Sequence, residues 1–290
     1  MTRDPKINID GRTQLYGIFG NPVSHSLSPL IHNSVFSHFK MNAVYLPFLI
    51  EPAYLGIAFE SLRAMGILGV NITIPFKEEA LDFIDEIPED VDRRTGAINT
   101  VLNRDRKLIG YNTDSPGFLL ALKEELSFNP EGKSILVLGA GGGARSVIFS
   151  LARAHADKIW ILNRAVERAE GLADYVAEFF PETEFGVVRH LYEIQGEKID
   201  LVINATSCGM KGNQEVPLDL RILERKTAAY DLVYTPSETP FLKTAKELQF
   251  PHANGLGMLV NQAALSFEIW TGRKEEVRET MFSVLREWKS

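Results

Sequence analysis

Ser134-Ile135-Leu136-Val137-Leu138-Gly139-Ala140-Gly141-Gly142-Gly143-Ala144 joins a compact apolar run directly to a glycine cluster. The run has the length and composition of a buried strand, and the residues after the glycines, through Ala154, read as a helix. Gly139–Ala144 matches G-x-G-x-x-G/A in the strand-before, helix-after setting that gives the pattern its meaning. The first glycine permits a tight turn, the second lets backbone approach a pyrophosphate, and small Ala144 permits close helix–strand packing. The helix start then offers unpaired N–H groups to phosphate. A glycine-rich turn that binds nothing carries the same letters, so the flanking elements are what favour a dinucleotide site.

Downstream the alternation continues. Lys158–Leu162, Leu201–Asn204 and Ala228–Val233 read as strands, with a helix near Arg168–Phe180. Such a series predicts βαβ units on a parallel sheet, a Rossmann-type domain. The end of its second strand selects the cofactor, because NAD sites usually carry Asp or Glu about 20 residues after the glycines to accept from the ribose 2′-OH. Here Lys158–Leu162 ends in Asn163-Arg164, with Arg168 four residues further on and no carboxylate at the position. Two guanidinium groups suit a 2′-phosphate as bidentate donors. Solvated surface arginines are the ordinary alternative; their place directly after this strand favours NADP.

Upstream, strands at Leu15–Phe19, Ala43–Leu49 and Gly69–Ile74 alternate with helices at Pro29–Lys40 and Tyr54–Met65. The pattern resets after Pro130, so the fold expected is α/β with two α/β domains, the first mostly parallel. Helix Gly117–Leu126 connects them, and helices Met258–Thr271 and Glu275–Trp288 pack back onto the first.

Composition sets the outer limits. The chain has 290 residues, 45% hydrophobic and 24% charged, with a net charge of -7. That is ample for two cores and argues against nucleic acid or an acidic membrane as main partner. Cys208 is the only cysteine, which excludes an internal disulfide and a cysteine metal cluster. No apolar run approaches the ~20 residues that span a bilayer, and Met1–Arg12 is polar, so a soluble cytoplasmic protein is expected.

Four segments of the first half are polar where apolar or arbitrary residues would ordinarily stand. Gly20–Pro29 contains Ser26 and Ser28; Ser28 before Pro29 suits a helix N-cap, whereas Ser26 has no such role. Two hydroxyls two apart in an extended segment point the same way and together suit a carboxylate. Gly69–Lys77 is an apolar strand delivering Lys77 just past its carboxyl end, where α/β sheets place ligand groups; an exposed lysine starting a helix Lys77–Ile84 is the plainer reading. Gly96-Ala97-Ile98-Asn99-Thr100 and Gly110-Tyr111-Asn112-Thr113-Asp114-Ser115-Pro116-Gly117 each set an amide or carboxylate beside glycine at a strand end. Asp114 also suits a helix cap. His25 and His32, without a cluster of partners, read as structural or hydrogen-bonding residues rather than metal ligands.

Together with Asn204-Ala205-Thr206-Ser207-Cys208-Gly209-Met210 and Asn254–Ala263, these segments resemble the shikimate dehydrogenase family in order and spacing, from about Tyr16 to Phe267. The resemblance implies a substrate-binding catalytic domain at 1–113, completed by 254–290, and a Rossmann NADP-binding domain at 114–253. It implies that Ser26 and Ser28 bind the shikimate carboxylate, that Thr73, Asn99 and Gln262 contact ring hydroxyls or carboxylate, and that Tyr234 faces the substrate. Lys77 and Asp114 would form the catalytic pair, brought to one alcohol. Gly139, Ala140, Gly141, Gly142, Gly143, Asn163, Arg164 and Arg168 would hold NADP, with Leu232 and Gly255 near the nicotinamide. Three departures stand out: Ala165 where threonine is common, Gly143 where alanine is common, and Ile72 for valine. The first removes a hydroxyl from the 2′-phosphate region; the others look harmless.

The activity implied is NADPH-dependent, reversible reduction of 3-dehydroshikimate to shikimate in aromatic amino acid biosynthesis, with a small molecule as partner, no metal, and a homodimer allowed. Desolvation would bring the Lys77 ammonium towards working pH for proton transfer, an effect that a nearby carboxylate opposes. The rivals are a quinate/shikimate dehydrogenase using NAD(P), against which the Ser26 and Ser28 spacing and Asn163-Arg164 speak, and a non-catalytic sensor of shikimate or nucleotide, which would have no need of Lys77 and Asp114.

Overall fold

The computed structural model describes residues 9–89, 93–210, 213–224 and 226–289. Of the polar stretch Met1–Arg12, residues 1–8 lie outside the described residues. By contact the chain divides into two compact units, Met1–Thr113 with Val260–Ser290, and Asp114–Leu259.

The first unit opens with β1 (Gln14–Gly20), α1 (Ser28–His38), β2 (Ala43–Leu49), α2 (Leu55–Met65), β3 (Gly69–Ile72), β4 (Thr100–Arg104) and β5 (Lys107–Tyr111). Its sheet runs β2-β1-β3-β4-β5, parallel across the first three strands and antiparallel across the last two ladders. The sequence reading named no strand for this hairpin. Its two-residue turn is Asp105-Arg106, with φ of 52 and 67°, a primed turn that Asn-Gly or Asp-Gly ordinarily signals. The Ala58, Phe59 and Leu62 face of α2 packs with Phe19, Val70, Ile72, Phe76 and Val101 into one core.

The helix expected over Lys77–Ile84 does not form; only a single 3-10 turn, Glu79–Phe83, is present. The Lys77 carbonyl accepts from the Ile98 N–H at 2.9 Å rather than from a residue one helical turn on. The Gly69–Ile74 strand likewise leaves the ladder after Ile72, although Asn21 still donates to the Ile74 carbonyl.

The second unit contains α3 (Asp114–Leu126), β6 (Ser134–Leu138), α4 (Gly142–Arg153), β7 (Lys158–Leu162), α5 (Val166–Ala177), β8 (Glu184–Val188), β9 (Leu201–Asn204), β10 (Ala228–Asp231), α6 (Pro240–Glu247) and β11 (His252–Asn254). All ladders of its sheet are parallel, in the order β11-β10-β9-β6-β7-β8. Renumbered from β6, that is the doubly wound order 3-2-1-4-5-6. Both faces are covered, which is why β6 reads as a continuous apolar run. On one face Ile135, Val137 and Ile203 meet α4 through Val147, Ile148 and Leu151; on the other, Leu136, Leu138 and Val202 meet α6 through Phe241 and Leu242.

The chain then enters α7 (Leu256–Thr271), and the boundary between units falls inside this helix, between Leu259 and Val260; α8 (Val277–Lys289) follows in the first unit. The return to the first unit was expected at 254, but β11 pairs with β10, which keeps His252–Asn254 in the second sheet.

Within the first unit α1 packs on α8, and Tyr16, Phe36, Tyr45, Phe267 and Trp270 form an aromatic layer. His32 lies at its centre, fully buried, stacked on Tyr45 at 4.4 Å between centroids. It serves as a flat packing element and not as a hydrogen-bonding one: neither ring nitrogen has a hydrogen-bond partner. Burial pushes its pKa down to about 3. An unfolded histidine takes up its proton near pH 6.5 while the folded one stays neutral until about 3, so stability is complete above pH 6.5 and falls as pH drops. His32→Phe is expected to remove this acid-side loss, roughly 2 kcal/mol between pH 7.5 and 5. Urea unfolding of both proteins at the two pH values checks it; an unchanged pH slope in the variant refutes it.

Candidate functional site

The carboxyl ends of β1 and β3 carry most of the polar residues singled out in the first unit. Behind them lies a buried network. Asn71, inside β3, donates from Nδ2 to the Asn99 carbonyl at 3.1 Å, to Thr100 Oγ1 at 3.1 Å and to Ser266 Oγ at 3.0 Å. Its Oδ1 accepts from the Tyr45 hydroxyl at 2.7 Å. Asn99, just ahead of β4, donates to Thr113 Oγ1 at 2.9 Å and to Gln262 Oε1 at 3.3 Å, and accepts the Thr113 N–H at 2.8 Å. Thus Asn99 and Gln262, two of the expected substrate contacts, are brought together. A polar group buried here without partners would cost roughly 1–3 kcal/mol, so the network also fixes the side chains.

Tyr45, Asn71, Thr100, Thr113 and Ser266 had no assigned role in the sequence reading. Ser266 was signalled, since it lies one helical turn after Gln262 on the same face of α7 and donates to the Gln262 carbonyl at 3.0 Å. Tyr45 carried no signal, being one aromatic residue of an apolar strand. Burial holds its phenol well above the usual range, opposed by the Ser28 hydroxyl beside it.

The serine pair departs from expectation. Val23–Leu27 is a turn rather than an extended segment: the Ser26 N–H donates to the Val23 carbonyl at 3.1 Å, and Leu27 is helical at φ -85 and ψ -6°. Ser28 is inside α1 and does not cap it; the cap position is Leu27. It is Ser26 that serves the helix start, its Oγ accepting the Ser28 N–H at 3.2 Å. The alternation argument therefore fails, yet the two serines are still adjacent. Thr73 and Lys77 flank Pro75 beyond β3, both half-buried.

In the second unit Asp114 is the first residue of α3 and is buried. The helix begins there rather than near Pro116, which places the carboxylate in a first turn, where the helix dipole favours an anion.

The residues after β6 fit a pyrophosphate cradle. Gly139 has φ +114°, and a Cβ there would lie 3.0 Å from the Ala205 carbonyl oxygen, so glycine is required. At Gly141 a Cβ meets nothing within 4 Å, so protein packing does not demand that glycine, while close approach of a ligand would. No side chain caps α4, whose first-turn N–H groups follow Gly141. A Cβ at Gly143 would make an ordinary 3.7 Å contact with Leu232 Cδ1, so alanine would fit there.

Beyond β7, half-buried Asn163 donates from Nδ2 to the nearby Ala165 carbonyl at 2.8 Å, whereas Arg164 and Arg168 are exposed. Ala165 is the cap position of α5 and makes no side-chain bond. Leu232 packs beside the glycine loop, and Gly255 lies against the Leu232 carbonyl so closely that a Cβ would sit 2.1 Å from its oxygen. Ala140, Gly142 and Tyr234 are half-buried at the same carboxyl ends. Among the described residues, no group of three or more His, Cys, Asp or Glu is arranged to hold a metal ion, and no helix is long and apolar enough to cross a membrane.

Three family models match the chain: the shikimate dehydrogenase substrate binding domain over residues 18–101, shikimate / quinate 5-dehydrogenase over 121–211, and the shikimate 5'-dehydrogenase C-terminal domain over 255–281. The shikimate dehydrogenase (NADP(+)) of Geobacillus kaustophilus is 44% identical over 91% of this chain and 95% of its own. Among solved structures, shikimate dehydrogenase from Aquifex aeolicus is 38% identical, with a TM-score of 0.85 over 95% of this chain and 99% of the other. Shikimate 5-dehydrogenase from Thermus thermophilus, in complex with NADP(H) and shikimate, is 34% identical, with a TM-score of 0.81 over 93% and 99%. With a buried amide network, a glycine turn on a doubly wound sheet, and relatives matched over more than nine-tenths of its length, the chain belongs to the shikimate dehydrogenase family.

Proposed function

We propose that this chain reduces 3-dehydroshikimate to shikimate, reversibly, with NADPH, in cytoplasmic aromatic amino acid biosynthesis. The observation that carries the reading is its 41–44% identity, over 89–94% of the chain, to shikimate dehydrogenases named for NADP(+). A homodimer is compatible with it.

Bound NADPH would supply the hydride to the substrate's carbonyl carbon. The chain's own residues do the rest. Lys77 donates a proton from Nζ to the oxygen that becomes the hydroxyl and takes it back in the reverse direction. Asp114 is assigned to accept a hydrogen bond from that hydroxyl. Ser26 and Ser28 donate to the substrate carboxylate, and Thr73, Asn99, Tyr234 and Gln262 fix the ring. Asn99 is well suited, because its network leaves it a single orientation. Gly139–Gly143 and the start of α4 would hold the pyrophosphate, Asn163, Arg164 and Arg168 the 2′-phosphate end, and Leu232 with Gly255 the nicotinamide. Since Ala165 brings no hydroxyl to α5, the 2′-phosphate is left to Asn163, the two arginines and backbone.

Lys77→Ala is expected to lower kcat by about 100-fold or more while shikimate still binds. Stopped NADP+ reduction with unchanged shikimate affinity by calorimetry is the expected pair of results; turnover at the parental rate overturns the role. Arg164→Ala with Arg168→Ala is expected to cut kcat/KM for NADP+ by roughly 10- to 100-fold and leave that for NAD+ near its starting value. An equal loss with both cofactors would remove the 2′-phosphate assignment. Assays with shikimate and quinate, each with NAD+ and NADP+, test the whole reading: the shikimate and NADP+ pair is expected to give the highest kcat/KM, and a preference for quinate with NAD+ refutes it.

A further inference from the structure

At the carboxyl end of the second sheet, three segments converge on one side chain that has no part in the reading above. Asp231 is the last residue of β10 and is fully buried. Its Oδ1 accepts the Val233 N–H at 2.9 Å and Asn204 Nδ2 at 2.9 Å, and its Oδ2 accepts the Thr239 hydroxyl at 2.6 Å. These partners are neutral donors, and burial pushes the carboxyl up to about 6. A carboxylate kept in so unfavourable a place needs a reason.

Each bond fixes a different element. The Val233 N–H bond ends the strand and turns residues 232–234 out of the sheet; the Ala228–Val233 strand expected from sequence stops at Asp231 for this cause. The opposite side of that segment is fixed by Gly255 against the Leu232 carbonyl and by the Leu232 N–H donating to the Asn204 carbonyl at 2.9 Å. Asn204, the last residue of β9, uses its Oδ1 to accept the Thr206 N–H and hydroxyl at 3.1 and 2.6 Å, and its Nδ2 also donates to the Cys208 carbonyl. The turn so ordered, 205–208, is the one against which Gly139 packs. Thr239, in turn, caps α6 by accepting the Leu242 N–H. One carboxylate therefore sets both the 232–234 segment and the floor of the glycine loop.

We propose that Asp231 is a positioning residue: through Val233 and Asn204 it holds Leu232, Tyr234 and the Gly139 turn in the mutual placement that hydride transfer requires. The proposal rests on the assignment of Leu232 and Tyr234 made above. Its basis is geometric, so an isosteric amide satisfies it. In Asp231→Asn, Oδ1 still accepts from Val233 and Asn204, while Nδ2 donates to the Thr239 oxygen.

The test is steady-state kinetics of the full chain with shikimate and NADP+. Asp231→Ala is expected to raise the shikimate KM at least about 5-fold and lower kcat at least about 10-fold, as misplacement of reacting groups does; Asp231→Asn is expected to stay within about 3-fold of the parent on both. A loss of folded enzyme lowers kcat alone and leaves that KM unchanged. If Asp231→Ala does not accumulate, Thr239→Val, which deletes one bond of the hub, carries the test with an expected KM rise of about 2- to 5-fold. A parental KM in Asp231→Ala, or in Thr239→Val standing for it, overturns the proposal, as does an Asn variant impaired as badly as Ala. Tyr234→Phe separates the two layers: parental kinetics there overturn the assignment of the segment, whereas an impaired Tyr234→Phe beside a parental Asp231→Ala overturns the hub alone.

Discussion

Where a parallel strand ends at its carboxyl end, backbone must leave the ladder without leaving its polar groups unmet. The chain solves this with short amide and carboxylate side chains at the strand ends. Asn99, just ahead of β4, does so in the first sheet, with Asn71 inside β3 bonded to its carbonyl, and Asn204 and Asp231 do so in the second. Asn99, Asn204 and Asp231 each accept a backbone N–H from beyond a strand end, and all four side chains are buried. A buried unsatisfied polar group costs roughly 1–3 kcal/mol, so such residues permit little local freedom. Loops that are fixed in this way can present a glycine turn or a hydroxyl at a defined place.

The two units divide the labour chemically. The first gathers hydroxyls and amides that suit a polyhydroxylated carboxylate, over an aromatic layer that excludes water from its base. The second offers N–H groups at the start of α4 beside a turn that only glycine at 139 can make. Charge follows the same division. The chain carries a net charge of -7, so overall charge does not attract an anionic cofactor, and the proposed 2′-phosphate site relies on local positive charge.

Much of this was legible in the sequence, for identifiable reasons. Ser134–Leu138 and Leu201–Asn204 are strands buried on both faces, and Lys158–Leu162 is buried on one face and half-buried on the other; their apolar runs gave the bounds. The glycine loop announced itself because φ +114° at Gly139 admits almost no other residue. The β4-β5 hairpin stayed hidden behind its Asp-Arg turn, and β11 is only three residues long. The supposed Lys77–Ile84 helix shows the opposite error: local propensity lost to a tertiary hydrogen bond from Ile98 to the Lys77 carbonyl. At the site, the candidates that could be named were those spaced within one segment. Tyr45, Thr100 and Asp231 act through partners 26, 166 and 27 residues away, and no window along a single sequence reveals such pairings.

The boundary inside α7 has an outcome for how the molecule is made. Residues 114–259 all intervene between the two parts of the first unit, at ribosomal speeds of about 5–20 residues per second a wait of roughly 7–30 s. During that interval Tyr16, Phe36 and Tyr45 exist without Phe267 and Trp270, the rings that cover them in the finished protein. The second unit, continuous in the chain, can complete its sheet as it emerges. The first is closed only by residues that follow the whole second unit in the chain, so its aromatic face stays uncovered meanwhile and is a natural target for shielding by a chaperone.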